Sequence, residues 1–191
     1  MSRPVVVVPL AAGFEEIEAV TVIDVLRRAD CRVITAGLDE GLARGAHGID
    51  LAVDAALGAL PVADEEIAML VLPGGMPGAT NLRDDARVQA LASALVATGR
   101  KVAAICAAPM ALAGVTADRA VTSFPSFEKE CACAEYRRER VVVDGPVVTS
   151  RGAGTAMEFA LTLVEELVGA EKAEELAAAM LVHRPEAPHR V

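Results

Sequence analysis

Histidine, aromatic residues and positive charge are all scarce in this chain, and each shortage removes a class of function. Of 191 residues only 3 are His and 3% are aromatic, and 18 Lys and Arg are outweighed by 27 Asp and Glu, giving a formal charge of −9. With a pI near 4.9 and no Lys/Arg cluster interleaved with aromatics, the chain lacks the electrostatic footprint of a nucleic-acid binder. No G-x-x-x-x-G-K-[ST] phosphate loop occurs. No apolar run approaches the roughly 18 residues of a membrane span, and no signal-peptide pattern precedes the first Val run, so a cytoplasmic protein without membrane contact is expected. The four cysteines, Cys31, Cys106, Cys131 and Cys133, show no C-x-x-C spacing and form no disulfide framework in a domain of this size. Cys131 and Cys133 make a lone C-x-C with no His or second Cys pair nearby, which falls short of a zinc signature; no metal is expected.

What is present is enough apolar mass for a core: 53% hydrophobic residues against 24% charged. Apolar β-branched stretches alternate with Ala/Leu/Glu-rich ones, the pattern of a parallel sheet with helices on both faces. Strands are predicted at 4–9, 31–36, 68–72, 101–105 and 120–123, with a short extended piece at 47–52. Helices are predicted at 15–29, 85–97, from Pro109 to Gly114, at 155–168 and at 171–181. In the first of them Ile17, Val20, Ile23, Val25 and Leu26 form a broad apolar stripe, and Glu15 and Glu16 read as solvated acids at its start. Val141–Val143 and Val147–Ser150 around Asp144-Gly145 read as a hairpin. One domain over residues 1–182 is expected, followed by a flexible tail at 183–191.

In open α/β sheets ligands gather beyond the carboxyl ends of the strands. Three such segments stand out: Gly13-Phe14-Glu15-Glu16-Ile17-Glu18, Pro73-Gly74-Gly75 and Ile105-Cys106-Ala107-Ala108-Pro109. Cys106 sits at a strand-to-helix turn between small Ala104 and Ala108, as a nucleophile elbow requires, where a helix N-terminus stabilises a thiolate. The same position also suits a buried structural thiol. Gly74 and Gly75, with the Ala107 N–H, can aim amides at an oxyanion, or simply permit a tight turn. Glu18, flanked by Ile17 and Ala19, is the acid that faces inward, where burial keeps its proton on. Gly152-Ala153-Gly154-Thr155 is a weak anion-cradle candidate, and no His is placed to complete a Cys-His dyad.

Together with Leu72-Pro73-Gly74-Gly75 and Thr149-Ser150-Arg151-Gly152-Ala153-Gly154-Thr155, these segments resemble the DJ-1/ThiJ/PfpI superfamily, most of all the DJ-1 and bacterial YajL-like branch, from about Val5 to Leu181. The resemblance implies a flavodoxin-like α/β sandwich, usually a homodimer. It also implies a reactive, readily oxidised cysteine at Cys106, its carboxylic acid partner at Glu18, and pocket backbone from Gly75 and Ala107. Where the animal branch has a His before a Pro, this chain has Phe124, which moves no proton. His47 stands in for a pocket arginine of the family.

The resemblance implies stress protection without a cofactor. One reading is an enzyme acting on reactive 2-oxoaldehydes, of glyoxalase III or deglycase type, whose substrate is a small aldehyde or a glycated protein. A second is a redox-sensing or chaperone protein working through oxidation of Cys106. A third, an amidase or peptidase of the PfpI type, lacks a base.

Overall fold

The computed structural model describes residues 3–183 and 188–191. In chain order its strands and helices are β1 (Val5–Leu10), α1 (Glu16–Arg28), β2 (Arg32–Gly37), β3 (Leu42–Arg44), β4 (Asp50–Ala52), β5 (Ala55–Ala56), β6 (Ile67–Leu72), α2 (Gly78–Asp84), α3 (Ala86–Ala97) and β7 (Lys101–Ile105). There follow α4 (Ala113–Thr116), β8 (Ala120–Val121), β9 (Glu135–Tyr136), β10 (Val141–Asp144), β11 (Val147–Ser150), α5 (Ala156–Leu167), α6 (Ala170–Ala179) and β12 (His189–Arg190). Eight strands form one sheet in the order β12-β10-β11-β7-β6-β1-β2-β5. Every neighbouring pair is parallel except the β10/β11 hairpin.

The central strands are apolar along their whole length because both faces are covered. In β1, Val6, Val8 and Leu10 point into a core shared with α1, α5 and α6. Val5 and Val7, on the alternate face, join the core under α2 and α3. This is the mostly parallel, flavodoxin-like sandwich expected from the pattern. The order of strand connection reverses at β1, which is flanked by β2 on one side and β6 on the other, so the crevice beyond these strands is a topological switch point.

Several boundaries differ from the sequence reading. Helix α2 was not foreseen, because GATNLRD opens on glycine and carries no apolar period. Ala120–Val121 is not part of the main sheet; it pairs with β9 in a separate two-stranded ribbon. The turn after Cys106 is a 3-10 helix, Ala108–Leu112, running into α4. Residues 188–191, within the expected tail, lie against the sheet. The His189–Arg190 strand lies beside β10, which has a free edge there, and Arg190 Nη2 reaches Glu165 at 2.6 Å. The remainder of the expected tail, 184–187, lies outside the described residues. Finally, the first turns of α1 are inverted relative to the apolar stripe: Ile17 is 58% exposed and Val20 45%, while Glu16 is 4% exposed and Glu18 fully buried.

Candidate functional site

The order β7-β6-β1 brings the three chain segments singled out above to one edge of the sheet. Cys106 directly follows β7 and adopts φ +64°, a left-handed conformation for a residue with a side chain. Such a backbone costs about 1–2 kcal/mol. It is held by the Cys106 N–H donating to the Ser150 carbonyl at 3.0 Å and by the Phe124 N–H donating to the Cys106 carbonyl at 2.8 Å. Strain fixed in this way aims the sulfur into the crevice instead of along the strand.

Glu18 reaches the same point from the first turn of α1. Its Oε2 accepts a hydrogen bond from the Gly74 N–H at 2.8 Å, its carboxyl meets the Cys106 thiol, and its Oε1 is buried without a hydrogen-bond partner among the described residues. The two glycines have different reasons to be there. At Gly74 a Cβ would come within 2.6 Å of the Cys106 Cβ and 2.7 Å of Glu18 Oε2, so only hydrogen lets acid and thiol approach. At Gly75, φ is +87° and a Cβ would press on the Glu15 nitrogen at 2.4 Å. The Gly75 and Ala107 N–H groups both point at the Cys106 sulfur.

Burial raises the Glu18 carboxyl to about 7, against the pull of the Gly74 N–H and the thiol, with the Glu15 charge adding to the rise. Burial and the Glu18 carboxylate push the Cys106 thiol up to about 12, opposed by the Ala107 and Gly75 amides. At Cys106 burial beside a carboxylate outweighs the stabilisation that the Ala107 and Gly75 amides give a thiolate. Two adjacent groups of like charge do not ionise together. A thiolate is reached here with the proton resting on Glu18, where the charge opposing it has gone.

Phe124 is close by, its ring beside Gly152 opposite the Cys106 sulfur. His47 is not at the thiol. Its ring Nδ1 lies 2.8 Å from Glu16 Oε2 and 3.5 Å from Glu15 Oε2, and it is exposed. Glu16, read from the sequence as solvated, is a buried anchor. Its Oε1 accepts from the His47 N–H at 2.7 Å and the Ile49 N–H at 3.4 Å. Burial alone would raise this carboxyl; the His47 side chain and the backbone N–H groups of Glu16, His47 and Ile49 overcome it and hold it at about 2. No local signal marks Glu16, because its partners lie 31 and 33 residues away. Glu15, Glu16 and His47 also place three ligand-type atoms within 4.8 Å of one another, but every Glu16 oxygen there already has a protein donor.

The model of the DJ-1/PfpI family matches residues 4–166. The chain belongs to this family. Among DJ-1/PfpI relatives it is 42% identical over 186 residues to Protein DJ-1 homolog B of Arabidopsis thaliana, a match taking in 94% of this chain and 42% of that protein, so the chain spans less than half of that relative's length. It is 34% identical over 165 residues to the Caenorhabditis elegans protein named Glutathione-independent glyoxalase DJR-1.2, covering 85% of this chain and 87% of that one. The structure of oxidized Toxoplasma gondii DJ-1 superimposes with a TM-score of 0.89 at 35% identity, covering 95% of this chain and all of that one. Among the described residues of this DJ-1/PfpI chain, no helix is long and apolar enough to cross a membrane.

Proposed function

We propose that the chain is a cofactor-free, cysteine-dependent enzyme acting on small reactive 2-oxoaldehydes. The observation that carries this reading is the pairing of a half-buried Cys106 with a buried Glu18, one carboxyl oxygen of Glu18 being unpartnered among the described residues beside a sulfur held in a left-handed turn. The glyoxalase name of the nematode relative supports it. Cys106 passes its proton to Glu18, and the thiolate adds to the aldehyde carbon to give a hemithioacetal. Glu18 returns its proton to the alkoxide, then takes the C1 proton and delivers it to C2 while the C1 hydroxyl proton passes to the C2 oxygen, converting the adduct to a 2-hydroxy thioester. Water then hydrolyses the thioester, releasing the 2-hydroxy acid and returning the thiol. The Gly75 and Ala107 amides stabilise negative charge developing beside the sulfur. The pathway asks only for nucleophilic and acid–base steps.

Lactate formation from methylglyoxal tests this, with wild type, Cys106→Ser and Glu18→Gln side by side. Turnover by wild type alone is expected, Glu18→Gln falling by about 100-fold or more as befits a lost acid–base group. A second reading has support from the oxidized Toxoplasma gondii relative: Cys106 oxidation is itself the functional event, a protonated Glu18 donating to the resulting sulfinate. Three equally inert proteins, with clean oxidation of Cys106 by low peroxide, would overturn the enzyme reading in favour of this one. Glycated protein as a direct substrate belongs to the same chemistry. A peptidase reading is not taken up, since Phe124 is no base and His47 is engaged by Glu16.

A further inference from the structure

Cys131 and Cys133 lie outside the chemistry above. A 3-10 helix over Pro125–Glu130 ends at Cys131, whose backbone is extended at φ −79° and ψ 114°. The carbonyl of Ala132 is held by the Thr116 hydroxyl at 2.6 Å and the Ala134 N–H by the Arg119 carbonyl at 2.9 Å. Exposure alternates along this segment: Cys131 and Cys133 are half-buried, while Ala132 between them and Ala134 after them are exposed. In extended chain residues two apart share a face, and the matching half-burial of Cys131 and Cys133 puts them on the same, inward face. Two residues of extended chain advance about 6.6 Å, within the roughly 4.4–6.8 Å between Cα atoms that a disulfide accepts but beyond the roughly 3.5–4.5 Å between Cβ atoms, so closure bends the segment.

The pair is also wired to the Cys106 pocket. The Ser123 hydroxyl faces Cys131; it bonds the Phe124 carbonyl at 3.1 Å and the Tyr136 hydroxyl at 3.1 Å. Phe124 in turn donates its N–H to the Cys106 carbonyl and keeps its ring beside Gly152 near the sulfur. We propose that Cys131 and Cys133 are a second redox site, a dithiol that a hydroperoxide closes reversibly to an intramolecular disulfide, and that closure is felt at Phe124 through Ser123.

Burial and nearby carboxylates raise both thiols; Cys131 takes the attacking role because, of the two sulfurs, it is the one met by a hydroxyl donor, that of Ser123. Its thiolate takes the terminal oxygen of the hydroperoxide: an S–O bond forms, the O–O bond breaks, and the alkoxide (hydroxide, for hydrogen peroxide) leaves to be protonated. The Cys133 sulfur then displaces the sulfenic hydroxyl, forming S–S and releasing water. Two thiols lose two electrons, the hydroperoxide gains them, and an alcohol and water are the products. Drawing the sulfurs together tightens the segment and moves Cys131 away from Ser123. Ser123 then has one acceptor fewer, and the Phe124 carbonyl takes its proton outright.

The sequence makes the test clean. Trypsin places both cysteines on one peptide, Glu130–Arg137, Cys106 on Val102–Arg119 and Cys31 on Ala29–Arg32. The full chain is treated with hydrogen peroxide, alkylated and digested. The Glu130–Arg137 peptide is expected to lack alkylation and to be lighter by two hydrogens, regaining both alkylation sites after dithiothreitol. Cys106→Ser should close as wild type does, and Cys133→Ser should not close. In the Cys106→Ser protein the amide resonances of Ser123 and Phe124 should shift on peroxide treatment and return on reduction. Recovery of the peptide with both cysteines alkylated, with sulfonates only, or cross-linked to Val102–Arg119 would overturn the dithiol site. Closure that leaves both resonances unmoved would overturn the link to Phe124. None of these readouts depends on turnover at Cys106, so failure here and failure of the proposed enzyme activity are separate results.

Discussion

Helices α1 and α5 pack against each other on one face of the sheet, yet they divide polar and apolar residues in opposite ways. Along α5, Ala156, Phe159, Ala160, Leu161, Leu163 and Val164 are buried, and its partly covered acids are paired with cations, Glu158 with Arg140 at 2.7 Å and Glu166 with Lys101 at 2.6 Å. The last turns of α1 follow the same rule through Val22, Val25 and Leu26. Its first turns break it, with Glu16 and Glu18 buried and Ile17 and Val20 exposed. Burying a carboxyl without partners costs several kcal/mol; Glu16 escapes that cost through its His47 and Ile49 donors, whereas Glu18 keeps one oxygen unpartnered among the described residues. Each buried acid has a separate employment: Glu18 faces a thiol, and Glu16 ties down the 45–49 loop. Each exposed apolar residue in turn lies on a surface that the core does not use.

The contrast is broken most forcefully from the α5 side. Phe159→Ala empties a fully buried site and is expected to cost about 3–5 kcal/mol, read as a lower midpoint in urea. If α5 is the ordinary amphipathic helix described here, that loss is the same at every pH between 5 and 9. On the α1 side the effect is of opposite sign and depends on pH. Glu18 is raised from 4.5 to about 7, so the folded state holds its proton where the unfolded chain has released it. Its contribution is fully present below pH 4.5 and is lost as pH rises through about 7. Glu18→Gln cannot ionise and should therefore be more stable than wild type above pH 7, by on the order of 3 kcal/mol, and no more stable at pH 4. Equal stabilities at pH 8 would mean that the carboxyl is not strained by burial.

Glu16 gives the smaller, opposite case. Its carboxyl is held at about 2, so it stabilises the fold above pH 4.5, and this is lost as pH falls toward 2. Glu16→Ala leaves the N–H groups of His47 and Ile49 without their acceptor and should cost about 2 kcal/mol. Amide hydrogen exchange should speed up across 45–49 while α5 stays protected. His47 is raised above 6.5, first by its hydrogen bond to Glu16 and then by the Glu15 and Glu16 charges. Its share of stability is present below pH 6.5 and fades as pH rises through the raised value, and an NMR titration of His47 in Glu16→Ala should show the value fall.

These two helices also show what the sequence could reveal. Strands β1, β2, β6 and β7, the hairpin and α5 were legible because one physical demand, burial of apolar side chains, acts at a fixed period along each of them. The same was true of Cys106, Glu18, Gly74, Gly75 and Ala107, which topology brings together once the strands are ordered as a parallel sheet. The period misled at Ile17 and Val20 because it assumes that every apolar residue in a helix faces its own core. Glu16 was misread for the complementary reason: what permits its burial is a loop more than thirty residues away. Helix α2 lacked a period to read. The docking of His189 and Arg190 rests on a free strand edge and on Glu165 and Glu166, none of which is local to the tail.

The smallest expected effect on the folded chain is the most informative about the exposed half of α1. Ile17 and Val20 stand on one side of the helix start, and Ile49, 56% exposed, sits on the loop that Glu16 holds. Scattered apolar residues are ordinary on a surface, but these three are carried by the two segments whose placement consumes a buried acid. The homodimer that the family resemblance implies is put to the test at this face. Ile17→Ser should then change the urea midpoint of the isolated chain by no more than about 0.5 kcal/mol, because the side chain has little core contact to lose. The same substitution should shift the mass measured by light scattering from twice the chain mass to that of a single chain. A wild-type protein already at a single chain mass would sink the dimer proposal, and the exposed isoleucines would then be unremarkable surface residues. Dissociation by Ile17→Ser with α5 and Glu18 undisturbed would show that the inverted turns serve two ends at once, an acid turned inward to the thiol and an apolar edge turned outward to a partner.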